Sequence, residues 1–345
     1  MNQTKIVISI DAMGSERGPK AVVDGILKSA GLNPNVEFIV HGEKKSISKL
    51  VKNSNLQTRC QILNANYLVS MHDKPSQIIR NGKKTSMWSA IESVKQGKAQ
   101  VCVSCGNTGA LMALSMFRLR RLDGVNRPAI ACLWPSLNKL GYNIVLDVGA
   151  DIKADQNDLF QYAMMGLNYA RKGFGIKKPR IGILNVGTEE HKGRSELKLA
   201  YDLISSASDK EDFEFVGFVE GNDIPSEAVD IIVTDGFTGN IAIKTAEGTA
   251  NLIASKTKTA FKTNFISKLG GLLAASSLIN LKKEIDPRQV NGGIFLGLNG
   301  IVIKSHGSAD GTGIASAINL GISLAKSGFY SSEIKQKDQL NDKIR

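Results

Sequence analysis

The chain holds little that would tie it to a membrane interior, an oxidising compartment or a nucleic acid. No run approaches the roughly 18 uncharged apolar residues that a spanning helix needs. The strand-like Ile6-Val7-Ile8-Ser9-Ile10 follows Met1 almost at once, without a basic segment leading into an apolar one. No signal peptide is therefore expected, and the cytosol is the expected compartment. Four cysteines in 345 residues make no disulfide framework. Cys102 and Cys105 form a C-x-x-C, a spacing used for zinc and redox pairs. Cys102, however, falls in an alternating strand and faces away from the turn that carries Cys105, and Cys60 and Cys132 supply no second close pair. Buried, unpaired thiols are the expectation, with no metal and no cofactor. Aromatic residues make up only 6% and no recognition module is legible, which sets nucleic acid aside as a partner.

Positive charge is what the chain has in excess. Lys and Arg number 44 against 32 Asp and Glu, a net charge of +12. Such a balance calls for an acidic protein, an anionic lipid surface or a phosphate-bearing substrate. The length suits one large domain with an ample core, expected over residues 1–330, followed by a charged tail at 331–345 that should fray.

Strand-like runs ending in polar, glycine-rich turns recur along the chain. Val101-Cys102-Val103 breaks into Ser104-Cys105-Gly106-Asn107-Thr108-Gly109 and then the helix-like Leu111-Met112-Ala113-Leu114. A buried strand, a glycine turn and a helix start aim backbone N–H groups and a helix N-terminus at one spot, which is the physics of a phosphate cradle. Similar strand-then-turn layouts begin at Asp11, Asn185 and Asp235. If the sheet were open and parallel, these turns would gather at the carboxyl ends of its strands as one anion site. Alternation of strand-like and helix-like runs predicts an α/β fold, a mostly parallel sheet with helices on both faces. A helix is expected from Pro19, strands over Val36–Val40, Ile144–Asp151 and Phe213–Val219, and a helix over Asn157–Tyr169.

One region departs from this pattern. From Ala246 to Asp286 the sequence reads as an amphipathic helical hairpin. Phe261, Phe265, Ile266, Leu269, Leu272, Leu273, Leu278, Ile279 and Leu281 form an apolar band. Lys256, Lys258, Lys262, Lys268, Lys282 and Lys283 form a basic one, with Gly270-Gly271 as the expected bend. The residues alone fit two readings: a packing or dimer hairpin with solvated lysines, or a hairpin that meets a membrane or an apolar ligand.

Taken in order, the blocks resemble a known family. They are Asp11-Ala12-Met13-Gly14 with Gly18-Pro19, Asp73-Lys74-Pro75-Ser76, Val103 through Met112, Leu146-Asp147-Val148-Gly149-Ala150, Leu184-Asn185-Val186-Gly187 with Lys192-Gly193, Asp235 through Asn240, and Val302 through Ser308. Together they resemble the bacterial phosphate acyltransferases that use acyl carrier protein, from residue 5 to about 320. Ser15 and Glu16 stand where the family usually has glycine and aspartate, and Cys105 where it usually has alanine. The last departure argues against Cys105 as a nucleophile. The resemblance implies a three-layer α/β/α fold akin to phosphotransacetylases and isocitrate dehydrogenase, with the hairpin protruding. It implies transfer of a long-chain acyl group from acyl carrier protein to inorganic phosphate, and a homodimer. It also implies peripheral association with the inner membrane face, beside the membrane glycerol-3-phosphate acyltransferase that would use the product. On that view Phe261, Phe265, Leu269, Leu272, Leu273, Lys262 and Lys268 become membrane or carrier contacts.

Phosphate is already an anion at neutral pH, so it needs holding more than deprotonating. The expected mechanism is direct attack on the thioester, with no covalent acyl-enzyme. Amides around Gly106, Asn107 and Thr108, with the Thr108 hydroxyl, would hold phosphate. Lys192 would supply positive charge, Asn240 would donate to the developing oxyanion, and His306 or Lys304 would complete the pocket. Asp11 and Asn185 complete the candidate site set. Duller roles stand beside these. Lys192 could be a solvated loop lysine, Asn185 and Asn240 turn caps, and His306 structural. Asp11, Asp147 and Asp235 could cap helices or bind a divalent cation. His41, His72 and His191 are expected at the surface. Among rivals, a short-chain phosphotransacetylase would not need the hairpin. A nicotinamide dehydrogenase fails because Gly311-Thr312-Gly313-Ile314-Ala315-Ser316 leaves too little chain for a nucleotide unit. A basic scaffold would not need the phosphate-type turns.

Overall fold

The computed structural model of the chain describes residues 5–52, 54–284 and 292–329. Among these, strands β1 (Ile6–Asp11), β2 (Val36–Gly42), β3 (Cys60–Asn64), β4 (Val101–Ser104), β5 (Ala129–Pro135), β6 (Tyr142–Leu146), β7 (Arg180–Leu184), β8 (Glu214–Val219), β9 (Ile231–Val233), β10 (Gly293–Leu296) and β11 (Ile301–Lys304) pair into one sheet. Their order across it is β3-β2-β1-β4-β11-β10-β5-β6-β9-β7-β8. The helices are α1 (Gly18–Leu32), α2 (Lys44–Val51), α3 (Pro75–Asn81), α4 (Ser86–Lys95), α5 (Thr108–Leu119), α6 (Gln156–Phe174), α7 (Ser195–Glu211), α8 (Gly236–Ala260), α9 (Phe265–Leu273), α10 (Ala275–Glu284) and α11 (Gly311–Lys326).

Helices α1, α2, α6, α7 and α11 cover one face, and α3, α4, α5 and the first turns of α8 cover the other, giving three α/β/α layers. Strand alternation splits the core between the faces. Val101 and Val103 join the α1–α11 side and Cys102 the α4–α5 side. Cys105 belongs to the first side, so the two thiols of the C-x-x-C lie on opposite faces.

The pairing registers place Ile10, Val103, Ile303, Ile294, Ala131, Leu146, Val233 and Ile183 on one line across the sheet. All eight are buried in the same core. Strands β1, β4 and β11 end one residue past this line, and β6, β7 and β9 end at it or one residue past it. They arrive from opposite directions, because β10 is antiparallel to β11 and β5, and β5 is antiparallel to β6. The expectation of a single rim is thus corrected. The turns after β1, β4 and β11 leave on one side of the line, and those after β6, β7 and β9 on the other.

Local chemistry sets the element ends. Pro19 lies in the first turn of α1, as expected. Strand β6 stops at Leu146 rather than continuing to Asp151, because the Asp147 carboxylate accepts from the amides of Gly149, Ala150 and Asp151 and rolls the chain into a turn. Helix α6 is longer than expected, held by an Asp155–Asp158 capping box and closed by Gly175 at φ 71°. His41 is the clearest correction. Expected at the surface, it is fully buried in β2, with the Ser9 hydroxyl 2.8 Å from Nε2 and the Ser89 hydroxyl 2.8 Å from Nδ1. His72 and His191 are exposed.

The hairpin is also redrawn. Its first arm is continuous with α8, which starts at Gly236 because Asp235 caps it, accepting from Thr238 N–H at 2.8 Å. The chain breaks at Phe261–Asn264 and at Ala274, not at Gly270-Gly271, which lie inside α9. Gly271 instead allows a close approach: a Cβ there would lie 2.9 Å from the Phe261 ring. The side chains of Lys282 and Lys283, residues 285–291 and the tail lie outside the described residues. Among the described residues no helix is long and apolar enough to cross a membrane.

Candidate active site

The turns after β1, β4 and β11 interlock. Asp11, 1% exposed, accepts from the Ser104 hydroxyl at 2.7 Å and from Met13 N–H at 3.2 Å. Burial pushes its carboxyl pKa up, against the pull of these donors. Gly14 lies so close that a Cβ would sit 2.6 Å from Asp11 Oδ2 and 2.7 Å from Gly106 N. Only glycine lets the first turn press on the second. Ser104 Oγ accepts from Gly106 N–H at 3.0 Å, and Asn107 Oδ1 caps α5 by accepting from Ala110 N–H at 3.0 Å. The first-turn amides of α5, at Thr108 and Gly109, have no intrahelical acceptor and carry the positive end of the helix dipole.

Asn107 has a second task. Its Nδ2 donates to the carbonyl of Met71 at 2.8 Å and, more weakly, to those of Ser70 and Asp73 at 3.4 Å. One side chain therefore fixes both the start of α5 and the loop before α3. Lys304 completes the group, its Nζ donating to the carbonyls of Cys105 and Ser305. Burial lowers its pKa to about 8, while Cys105, Glu16 and Asp11 pull upward and Lys244 pushes further down. The Cys105 thiol is pushed up to about 11 by burial, which keeps it protonated and un-nucleophilic near neutral pH. His306 is exposed, and its Nδ1 accepts from Ser308 N–H at 3.2 Å, so the neutral ring carries its proton on Nε2.

The second group of turns is more open. Lys192 makes a 2.8 Å ion pair with Glu189, and both are about half exposed. The hydrogen bond to Glu189 raises the Lys192 pKa, so the ammonium stays charged. Asn185 is buried, donates to the Lys192 carbonyl at 3.2 Å, and leaves its Oδ1 without a partner. Gly193 adopts φ 86° directly over it, where a Cβ would lie 2.2 Å from that oxygen. Arg194 pairs with the buried Asp235, which pins this loop to the start of α8. Burial raises the Asp235 pKa, but Thr238 and Arg194 outweigh it and hold the carboxylate below its usual range. Asn240 is exposed and donates to the Val148 carbonyl at 3.1 Å, leaving its other N–H unused in this bond.

Two links join the groups. Val148, which anchors Asn240, packs against the cluster that holds Ala110, Leu111 and Met112 of α5. Lys244, one turn beyond Asn240 on α8, lies near enough to depress the Lys304 pKa. The structure thus brings Asp11, Gly106, Asn107, Thr108 and Lys304 together, and separately Asn185, Lys192 and Asn240, with α8 spanning between. The sequence reading did not single out Arg194, Ser104 or Lys244. Arg194 had a legible signal, a cation between a glycine turn and a helix start. The oxygens of Asp147 are taken by four backbone amides, including Ile130 N–H at 2.9 Å, and it serves as a turn brace.

Comparisons with known proteins identify the family. A family profile described as "Fatty acid synthesis protein" matches residues 6–332. The "Phosphate acyltransferase" of Cereibacter sphaeroides is 61% identical over 327 residues, covering 94% of this chain and 89% of the relative. The chain belongs to the phosphate acyltransferase family. A second family member, from Paracoccus denitrificans, is 60% identical over 325 residues, covering 94% of this chain and 88% of its own. A solved phosphotransacetylase from Streptococcus pyogenes superposes with a TM-score of 0.60 over 94% of both chains at 18% identity, a likeness of fold alone.

Proposed function

We propose that the chain transfers a long-chain acyl group from the thioester of acyl carrier protein to inorganic phosphate, giving acyl phosphate for phospholipid synthesis. The observation that carries this reading is the capped start of α5 beside the half-buried Lys304, in a member of the phosphate acyltransferase family. A helix N-terminus and a desolvated ammonium together suit a small, highly charged oxyanion.

In this mechanism a phosphate oxygen attacks the thioester carbonyl carbon, and the tetrahedral oxyanion collapses with loss of the carrier thiolate. No acyl-enzyme forms. Amides of Asn107, Thr108 and Gly109 and the Lys304 ammonium hold the phosphate, while the Gly106 N–H, expected to join them, stays on Ser104 Oγ and shapes the turn. Lys192 and the second N–H of Asn240 meet the developing oxyanion, and His306 Nε2–H faces the same anion. Asp11 and Asn185 act from below, by fixing the two turns. The hairpin supports the long-chain reading: Phe265, Leu272 and Leu273 are more than three-quarters exposed, while Lys262 and Lys268 flank them. Such a surface suits the carrier or the inner membrane face, at which the membrane glycerol-3-phosphate acyltransferase would collect the product. A homodimer is part of the same proposal.

The test is a thioester-cleavage assay with palmitoyl-acyl carrier protein, palmitoyl-coenzyme A and acetyl-coenzyme A. Phosphate-dependent release of the carrier thiol, with little from either coenzyme A ester, is the expected result. Turnover of acetyl-coenzyme A alone would move the chain to short-chain chemistry.

A further inference from the structure

We propose that the acidic carrier docks on the surface formed by residues 65–88 and the outer side of α5, and not on the hairpin. This rests on the acyl-carrier reading above and places the partner on that same site.

Three observations converge. The first is position. The loop from Ser70 to Asp73 is hydrogen-bonded to the Asn107 side chain, and Pro75 at the head of α3 packs beside Gly109, where a Cβ would lie 3.2 Å from its Cγ. A partner seated here is one layer of chain away from the α5 amides. The tip of α8, by contrast, is about 24 Å along the helix from Lys244 at 1.5 Å per residue.

The second observation is charge. Between 65 and 88 the exposed ionised side chains are Lys74, Arg80, Lys83 and Lys84. The one acidic residue, Asp73, is half-buried and accepts from Ser70 N–H at 2.8 Å. Nearby Glu92 is tied to Arg118 at 2.6 Å. The outward field of this surface is therefore positive, the complement of an acidic protein.

The third is apolar area inside that ring of charge. Tyr67, Leu68 and Phe117 are 61%, 54% and 50% exposed. The first and last are joined through α4: Tyr67 forms a backbone bridge with Thr85, the residue that caps α4, and the Phe117 ring lies tilted against Trp88 of α4 at 5.9 Å between centroids. An aromatic centre with a cationic rim is the composition of a protein-docking surface. The occupant it fits is an acidic protein with a small apolar face, delivering its thioester toward Asn107.

The experiment compares the full-length wild type with Lys83→Glu/Lys84→Glu and Tyr67→Ala, and with Lys45→Glu/Lys49→Glu on α2, which packs on the opposite face of the sheet, as a control for net charge. Carrier binding is followed by calorimetry, and KM is measured for palmitoyl-carrier and for phosphate. The Lys83→Glu/Lys84→Glu pair should raise the carrier KM about tenfold, weaken binding equally and flatten its salt dependence. The phosphate KM should hold, Tyr67→Ala should act in the same direction, and the α2 control should stay within about twofold. Unchanged binding in both surface variants, with wild-type turnover intact, would overturn the docking surface and leave the acyl-carrier reading standing. A shift from dimer to monomer in the same variants would assign the patch to a second copy and overturn the proposal. Wild-type protein that neither binds nor cleaves the carrier thioester would overturn both readings.

Discussion

The two groups of turns differ in how they are held. Those after β1, β4 and β11 are buried, glycine-spaced and bonded to each other, with Asp11, Ser104, Gly14 and Gly106 in mutual contact. Those after β6, β7 and β9 are pinned by Arg194–Asp235 and Asn240–Val148 but keep Lys192 half exposed on an ion pair. The first group is preorganised, which suits a small substrate that must be held without reorganisation. The second holds its charged side chain only by a solvent-exposed ion pair, which suits a larger acyl donor that arrives and leaves. In the proposed mechanism one reaction draws on a rigid half and an adjustable half, set on opposite sides of the same line of strands.

Acid should break the rigid half with the largest effect. His41 is the register partner of Asp11, and its carbonyl accepts from Ala12 N–H at 2.9 Å. Burial lowers the His41 pKa from 6.5 to about 4. The unfolded state therefore binds a proton that the folded state refuses between those values. Stability is full above pH 6.5 and is lost as pH falls toward 4, by about 2–3 kcal/mol from this residue. Urea midpoints between pH 7 and 4.5 should show this slope, and His41→Gln should flatten it. An unchanged slope would show that His41 is not the group responsible.

Removing charge from the adjustable half should cost rate and not stability. Lys192→Ala is expected to lower kcat/KM about a hundredfold with an unchanged melting temperature. Near-normal turnover would return Lys192 to the role of a solvated loop lysine. A smaller effect separates the halves by pH. The half-buried Lys304 ammonium is mostly charged below pH 8 and mostly neutral above it, so the phosphate KM should rise about threefold to tenfold from pH 7 to pH 9. The acyl-donor KM should change less, because the Lys192 ammonium stays protonated across that range.

Much of this was legible in the residues themselves. The strand–glycine–helix blocks, the Pro19 helix start and the opposite faces of Cys102 and Cys105 follow from local pattern and period. What local pattern cannot carry is strand direction. The reversal takes three antiparallel pairings, Ile303 with Ile294, Ile294 with Ala131 and Ala131 with Leu146, and the second joins distant parts of the chain with no short-range signal. His41 was misplaced because its serine neighbours, Ser9 on β1 and Ser89 and Ser93 on α4, lie far from it in the chain. Gly270-Gly271 looked like a bend because glycine often marks one, whereas here it makes room for Phe261.

Hydrogen exchange of the full-length protein with and without inorganic phosphate tests the central claim most directly. Phosphate should slow exchange at Asn107, Thr108 and Gly109, and Lys304→Met should abolish the protection while the fold is retained. Protection confined to the Asn185–Gly193 loop, or none at all, would contradict the assignment of the α5 N-terminus as the phosphate site.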